Sequence, residues 1–121
     1  MGRVAEPLLS RVEQFSDRIL SVASALSDNR VSERIINQII GSGTSAGANL
    51  FEADECTTRP EFCKCLSIVI RELNETRYWI RLIGRNGWIP SDRLAPLEQE
   101  CLELQKVFGA MLTRTRKNKS K

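Results

Sequence analysis

Seven positions, Phe62, Leu66, Val69, Leu73, Thr76, Ile80 and Ile83, recur at alternating steps of four and three residues. A helix turns once every ~3.6 residues, so this rhythm keeps all seven on one stripe, whereas a strand would scatter them over both faces. The stretch opens with Thr58, whose hydroxyl type caps helix starts, and Pro60, tolerated in a first turn because its missing N–H would have no partner there. It stops at Gly84-Arg85-Asn86-Gly87, where Gly and Asn accept the left-handed conformation of a helix end.

The same rhythm recurs twice more. Between Glu6 and Leu26 it runs through Leu8, Val12, Phe15, Ile19, Val22 and Leu26, with Pro7 near the start and the turn residues Ser27-Asp28-Asn29-Arg30 at the end. From Ser91 or Asp92 it runs through Leu94, Leu97, Cys101, Leu104, Phe108 and Met111. Each stretch predicts one amphipathic helix.

The segment from about Ser32 to Cys56 admits two readings. In one, Ile35 to Ile40 is a strand and Gly41-Ser42-Gly43-Thr44-Ser45-Ala46-Gly47 is a phosphate-cradling turn before a helix near Ala48. That reading lacks a Gly-Lys-Ser/Thr, a Gly-x-Gly-x-x-Gly spacing and a second strand for a crossover. In the other, the helix continues, and Gly43, Ala46, Gly47 and Leu50 extend the stripe begun by Ile35, Ile36, Ile39 and Ile40. Each glycine then costs about 1 kcal/mol relative to Ala, offset by the close approach of a neighbouring helix. Thr44 and Ser45 are expected to hydrogen-bond back to the preceding turn. The continuous helix matches the other three in length and is the reading adopted.

Four helices joined by short loops predict an all-α fold, an antiparallel up-down-up-down four-helix bundle. With 121 residues the chain supplies one core. The bundle is expected over residues 1–112, followed by a basic, disordered tail over 113–121. That tail holds Arg114, Arg116, Lys117, Lys119 and Lys121 and no acid; removing those five charges from the net +3 leaves the body near −2. Apolar runs fall far short of the ~18–20 residues that cross a bilayer, and Met1 to Ser10 lacks a signal-peptide pattern, so a cytoplasmic protein with no membrane partner is expected. Cys56, Cys63, Cys65 and Cys101 stand at no framework spacing and are expected as reduced thiols.

No histidine is present, which removes the commonest general base and every Ser-His or Cys-His triad. Glu52, Asp54 and Glu55 with Glu72 and Glu75 resemble the paired carboxylates of di-iron bundles, but those sites also use Glu-x-x-His. Salt bridging or capping is the plainer role. Cys63 and Cys65, two apart on a helix, point roughly 200° from each other and cannot share a zinc ion. Cys101 occupies a core position. No catalytic residue, metal or cofactor is expected.

Tyr78 and Trp79 beside Arg77 are the residue types of protein interfaces, with Trp79 also able to widen the core stripe. Arg77, Arg81 and Arg85, preceded by Arg71, line one helix edge at steps of four and would be able to track phosphates. The tail cations extend that reading, and several copies in an oligomer would add their charges.

The run Ser42-Gly43-Thr44-Ser45-Ala46-Gly47-Ala48-Asn49-Leu50-Phe51-Glu52-Ala53, then Glu61-Phe62, then Glu72-x-x-Glu75-Thr76-Arg77-Tyr78-Trp79, resembles a known family. It is similar to the four-helix bundle proteins encoded in intervening sequences of bacterial 23S rRNA genes and to the related accessory variability determinant of diversity-generating retroelements. The resemblance covers about residues 6 to 112. It implies an up-down bundle that forms a ring-like homopentamer without known enzymatic activity. Retroelement members resemble basic barrels that bind nucleic acid and a reverse transcriptase, and the body charge near −2 departs from them. Carried over by position, Gly43, Ser45, Gly47, Asn49 and Glu52 would meet Glu72, Glu75, Arg77 and Tyr78 as a polar clasp inside or between subunits.

The expectation is a non-enzymatic oligomeric scaffold or adaptor whose partner is its own copies or another protein such as a reverse transcriptase. The alternative is an RNA- or DNA-binding accessory protein using the tail and the α-helical arginine row.

Overall fold

A computed structural model describes residues 2–118. Its four helices are α1 (Glu6–Asp28), α2 (Glu33–Glu55), α3 (Arg59–Arg85) and α4 (Ser91–Lys117), with no strand among the described residues. The Gly41–Gly47 stretch lies wholly inside α2. Thr44 donates to the Ile40 carbonyl at 2.7 Å as expected. Ser45 instead accepts from Asn49 Nδ2, which also reaches the Ser45 carbonyl.

Local chemistry sets the ends. Ser32 caps α2 by accepting from the Arg34 N–H, and Thr58 caps α3 by accepting from the Glu61 N–H. Two helices close with the same six-residue wrap, in which the N–H beyond a left-handed residue returns to a carbonyl five back. At the end of α3 the left-handed residue is Gly87, and Trp88 N–H reaches the Ile83 carbonyl. At the end of α1 it is Arg30, with φ of 59°, and Val31 N–H reaches the Leu26 carbonyl. A side chain there costs about 1–2 kcal/mol that glycine avoids.

The helices run up, down, up and down, each antiparallel to the next. Ile19 and Val12 of α1 face Gly43 and Gly47 of α2, and Ser42 and Cys56 of α2 face Thr76 and Cys65 of α3. Leu73 of α3 faces Cys101 of α4. The α1/α4 seam is the thinnest of the four. All seven stripe positions of α3 are buried. On the flanking helices the stripe edge moves by one residue: Leu9, Ala23 and Leu112 are buried where Leu8, Val22 and Met111 were expected, and these three are half-buried.

One boundary differs from expectation. Helix α4 does not stop at Leu112 but continues through Lys117, so the stretch read as a disordered tail from Thr113 is helical as far as it is described. Thr113 and Thr115 hydroxyls bond back to Gly109 and Met111 carbonyls, and neither Gly nor Pro interrupts the turn. Lys119 and Lys121 lie outside the described residues.

Candidate functional site

The small residues of α2 turn toward α1. A Cβ placed on Gly43 would lie 2.6 Å from Cγ2 of Ile19, and one on Gly47 would lie 3.1 Å from the Ser16 hydroxyl. Within the chain these glycines therefore face α1 rather than Glu72, Glu75, Arg77 or Tyr78 of α3, so they form no clasp inside one subunit. Among the described residues no hydrogen bond joins Asn49 or Glu52 to those side chains either. Glu52 is exposed and Asn49 is satisfied within α2. Spacings of three or four residues do place side chains on one face, but they do not say which neighbour that face meets.

The polar contact between α2 and α3 is made one turn away by a pair of hydroxyls. Thr76 Oγ1 sits 2.9 Å from Ser42 Oγ and 2.7 Å from the Glu72 carbonyl, with Thr76 fully buried and Ser42 nearly so. With one proton, Thr76 donates to one oxygen while its own lone pairs remain open to Ser42. Ser42 escaped the sequence reading because a serine on an apolar stripe scores as a break; its place between Ile39 and Ala46 was the available signal. Thr76→Val is expected to destabilise by about 1–2 kcal/mol, because it strands the Ser42 hydroxyl in the core. Adding Ser42→Ala should recover part of that loss, a coupling that a double-mutant cycle in urea would read directly. Strict additivity would refute the pair.

Charges concentrate along α4. Arg11 of α1 grips Glu100 with two bonds of 2.7 and 2.8 Å and reaches Glu103 at 3.0 Å. The guanidinium holds the Glu100 carboxyl below the usual carboxylate range, and Glu100 raises Arg11 in return. A depressed carboxyl contributes stability above its unfolded pKa of ~4.3 and loses it as pH falls through the folded value. Glu72 acts oppositely: burial, then Glu75, hold its carboxyl above the ordinary value, so it weakens the fold as it ionises. Because Arg11 is about one-third exposed, Glu100→Gln is expected to cost only about 1 kcal/mol at neutral pH. That gap should narrow as pH falls through the depressed folded value of Glu100 and the carboxyl takes up its proton in both states; urea melts across an acid pH series check it.

The arginine row of α3 is partly spent on α4. Arg77 Nε lies 3.6 Å from Glu98 Oε2, longer than a hydrogen bond, and Arg81 reaches the same oxygen at 3.3 Å. Arg85 is exposed and makes no ion pair among the described residues. Tyr78 and Trp79 meet edge to face at 5.1 Å, and Trp79 donates its indole N–H to Glu75. Trp79 is half-buried against the core while Tyr78 stands 53% exposed. Leu20 and Phe51 are exposed as well, at 47% and 43%.

Beside Phe51 the small residues Gly47, Ala48, Ser10 and Ser16 leave an open hollow of about 510 Å³ between α1 and α2, edged by Glu13 and Asp17. Cys101 is a core residue: its thiol points at the Leu73 carbonyl, and burial pushes its pKa up to about 12. Among the described residues no cluster of three or more Cys, Asp or Glu is placed to hold a metal ion. No helix among the described residues is long and apolar enough to cross a membrane.

Four sequential antiparallel helices, closed by an ion-paired seam between α1 and α4, define an up-down four-helix bundle. The family model for the 23S rRNA-intervening sequence protein matches residues 8–110, and the chain belongs to that family. A crystal structure of a protein of unknown function from the S23 ribosomal protein family of Bacteroides thetaiotaomicron is similar to it. The two share 28% identity and a TM-score of 0.83, over 87% of this chain and 97% of that one. No curated protein matches.

Proposed function

We propose that this protein works by assembly, as a non-enzymatic cytoplasmic scaffold or adaptor built from copies of itself, in the homopentamer that its family resemblance implies. The observation that carries this reading is the exposure of Phe51 on the rim of the α1/α2 hollow, with Leu20 and Tyr78 also turned to solvent. Large apolar side chains on a shallow, small-residue surface are what a helix of another subunit covers. A partner such as a reverse transcriptase would dock on the assembled form.

Light scattering at micromolar concentration tests it. The unaltered chain is expected to run as a multi-chain species, and Phe51→Glu or Tyr78→Glu to shift it toward a single chain while circular dichroism stays unchanged. A monomeric mass for the unaltered chain would sink the proposal.

A second reading, RNA or DNA binding, is favoured by one feature. The last turn of α4 exposes Arg114, Arg116 and Lys117 with no acid in it, and the sequence continues with Lys119 and Lys121. Arg77 and Arg81 pair with Glu98, and Arg85 stands at the opposite end of the bundle from this basic turn, beside the start of α4. Binding to a structured RNA and a duplex DNA that weakens steeply with salt, and collapses in a chain ending at Leu112, would support this reading. No binding at low salt would remove it.

A further inference from the structure

Four thiols are present, and two of them touch. Cys56 ends α2 as its C-cap, and Cys65 lies in the second turn of α3; their sulfurs are 3.8 Å apart. Both are half-buried, and Cys56 lines an open hollow. A bonded pair needs ~2.05 Å, so the two sulfurs must move closer for a bond to form. Cys63 points roughly 200° around α3 from Cys65 and lines a separate hollow with Pro60 and Arg116. Cys101 is sealed in the core.

The surroundings select what can approach. Cys56 sits in an open hollow of about 260 Å³ whose other walls include Glu52, Glu55 and Glu61. Its thiol donates to the Glu52 carbonyl at 3.3 Å. Arg3 rests its guanidinium on the Cys56 and Thr57 carbonyls at 2.6 and 3.2 Å. Three carboxylates over a thiol attract a cation and repel an anion.

We propose that Cys56 and Cys65 form a thiol–disulfide exchange site that takes small cationic disulfides and closes into an intramolecular bond stapling α2 to α3. Cys56 loses its proton to water, and its thiolate attacks one sulfur of the disulfide. The reagent's S–S bond breaks, one thiol leaves with a proton, and a mixed disulfide remains on Cys56. Cys65, deprotonated in turn, attacks the Cys56 sulfur and expels the second thiol. The protein loses two hydrogens and the reagent is reduced to two thiols. Burial and the neighbouring Cys65, with Glu61 and Glu52 behind them, hold the Cys56 thiol above its ordinary pKa. A reagent that carries its own positive charge offsets those carboxylates as it arrives.

The test uses the full chain carrying Cys63→Ser and three reagents: cystamine, neutral bis(2-hydroxyethyl) disulfide and anionic oxidised glutathione. Each rate is normalised to that of the same reagent with free cysteine. Cystamine is expected to give a product two hydrogens lighter, with the tryptic peptide beginning at Cys65 linked to the one containing Cys56. Its normalised rate should exceed that of glutathione by about tenfold, a margin that shrinks with salt. The oxidised form should melt about 5–10 °C higher, and Cys56→Ser should abolish the linked product. A mixed disulfide that never closes, or a disulfide between chains, would overturn the site. A preference that is absent or indifferent to salt would overturn the selection by charge.

Discussion

Phe15→Ala is expected to lower the stability of the bundle by about 3–5 kcal/mol, the usual range for removing a buried phenylalanine ring. Phe15 is 1% exposed and is among the largest fully buried side chains. A chain of this length is held by roughly 6–18 kcal/mol in all, so the loss takes a large share of the total. The damage should also be local before it is global. Helix α1 is held on one side by the glycine face of α2 and on the other by the thin α4 seam around Arg11. Without the ring, amides of α1 should lose hydrogen-exchange protection ahead of those in α3. Leu20→Ala, at an exposed position of the same helix, should shift stability by no more than about 0.5 kcal/mol if the chain is monomeric under the conditions used. A Phe15→Ala cost below about 1 kcal/mol would contradict the packing.

The stripe of α3 was legible to the last residue because every position on it is large or, at Thr76, flanked by residues that are. On α1 and α4 the edges moved by one residue. An apolar stripe is wide enough for Leu8 or Leu9, and Met111 or Leu112, to satisfy the period, and only the tilt of the packed helix decides between them. Helix α2 was harder, since its buried face is written in Ser42, Gly43, Ala46 and Gly47, residues that signal loops when read singly. The family resemblance and the matching length fixed the helix, but neither fixed its rotation. Within one chain that rotation turns Gly43 and Gly47 toward α1 and away from the α3 side of the expected clasp. The contact between Cys56 and Cys65 joins a helix terminus to a helix interior, a relation that no periodicity encodes. The end of α4 was misjudged for a related reason: a basic, polar sequence is compatible with both helix and coil, and composition favoured the second.

The charge distribution bears on both functional readings. Four of the acids on or near the α3/α4 and α1/α4 seams, Glu98, Glu100, Glu103 and Glu72, stand near arginines or bury a carboxyl. Arginines committed in this way hold helices together and are poorly available to phosphates. Arg114, Arg116 and Lys117 stand exposed at the α4 terminus, while Glu13 and Asp17 edge the hollow between α1 and α2. In the proposed assembly, the basic α4 terminus of one copy would meet the acid-edged hollow of the next, a contact between unlike faces of the kind that rings use when the rotation closes.

Gly43→Leu should cost about 3 kcal/mol, at the upper end of overpacking penalties, whereas Gly41→Ala should stabilise by about 1 kcal/mol. The two glycines stand two residues apart in the same helix, so helix propensity treats them alike and only their surroundings differ. Gly41 is exposed, and a Cβ there would meet nothing within 4 Å. At Gly43 even a single added carbon falls 2.6 and 2.8 Å from the two γ-carbons of Ile19. Those atoms sit at the root of a β-branched side chain that is fully buried, so they cannot swing aside as the tip of a lysine would. Relief must come from moving α1 away from α2, which opens the core along both helices. Ile19→Ala removes the two obstructing carbons, and in that background the penalty of Gly43→Ala should fall, even though Ile19→Ala is itself destabilising. If urea melts show equal effects of alanine at Gly41 and Gly43, the glycine serves chain flexibility alone and the close approach of α1 and α2 is wrong. An opposite sign at the two positions, with coupling to Ile19, ties the small-residue run of α2 to the spacing between helices on which the α1/α2 hollow depends.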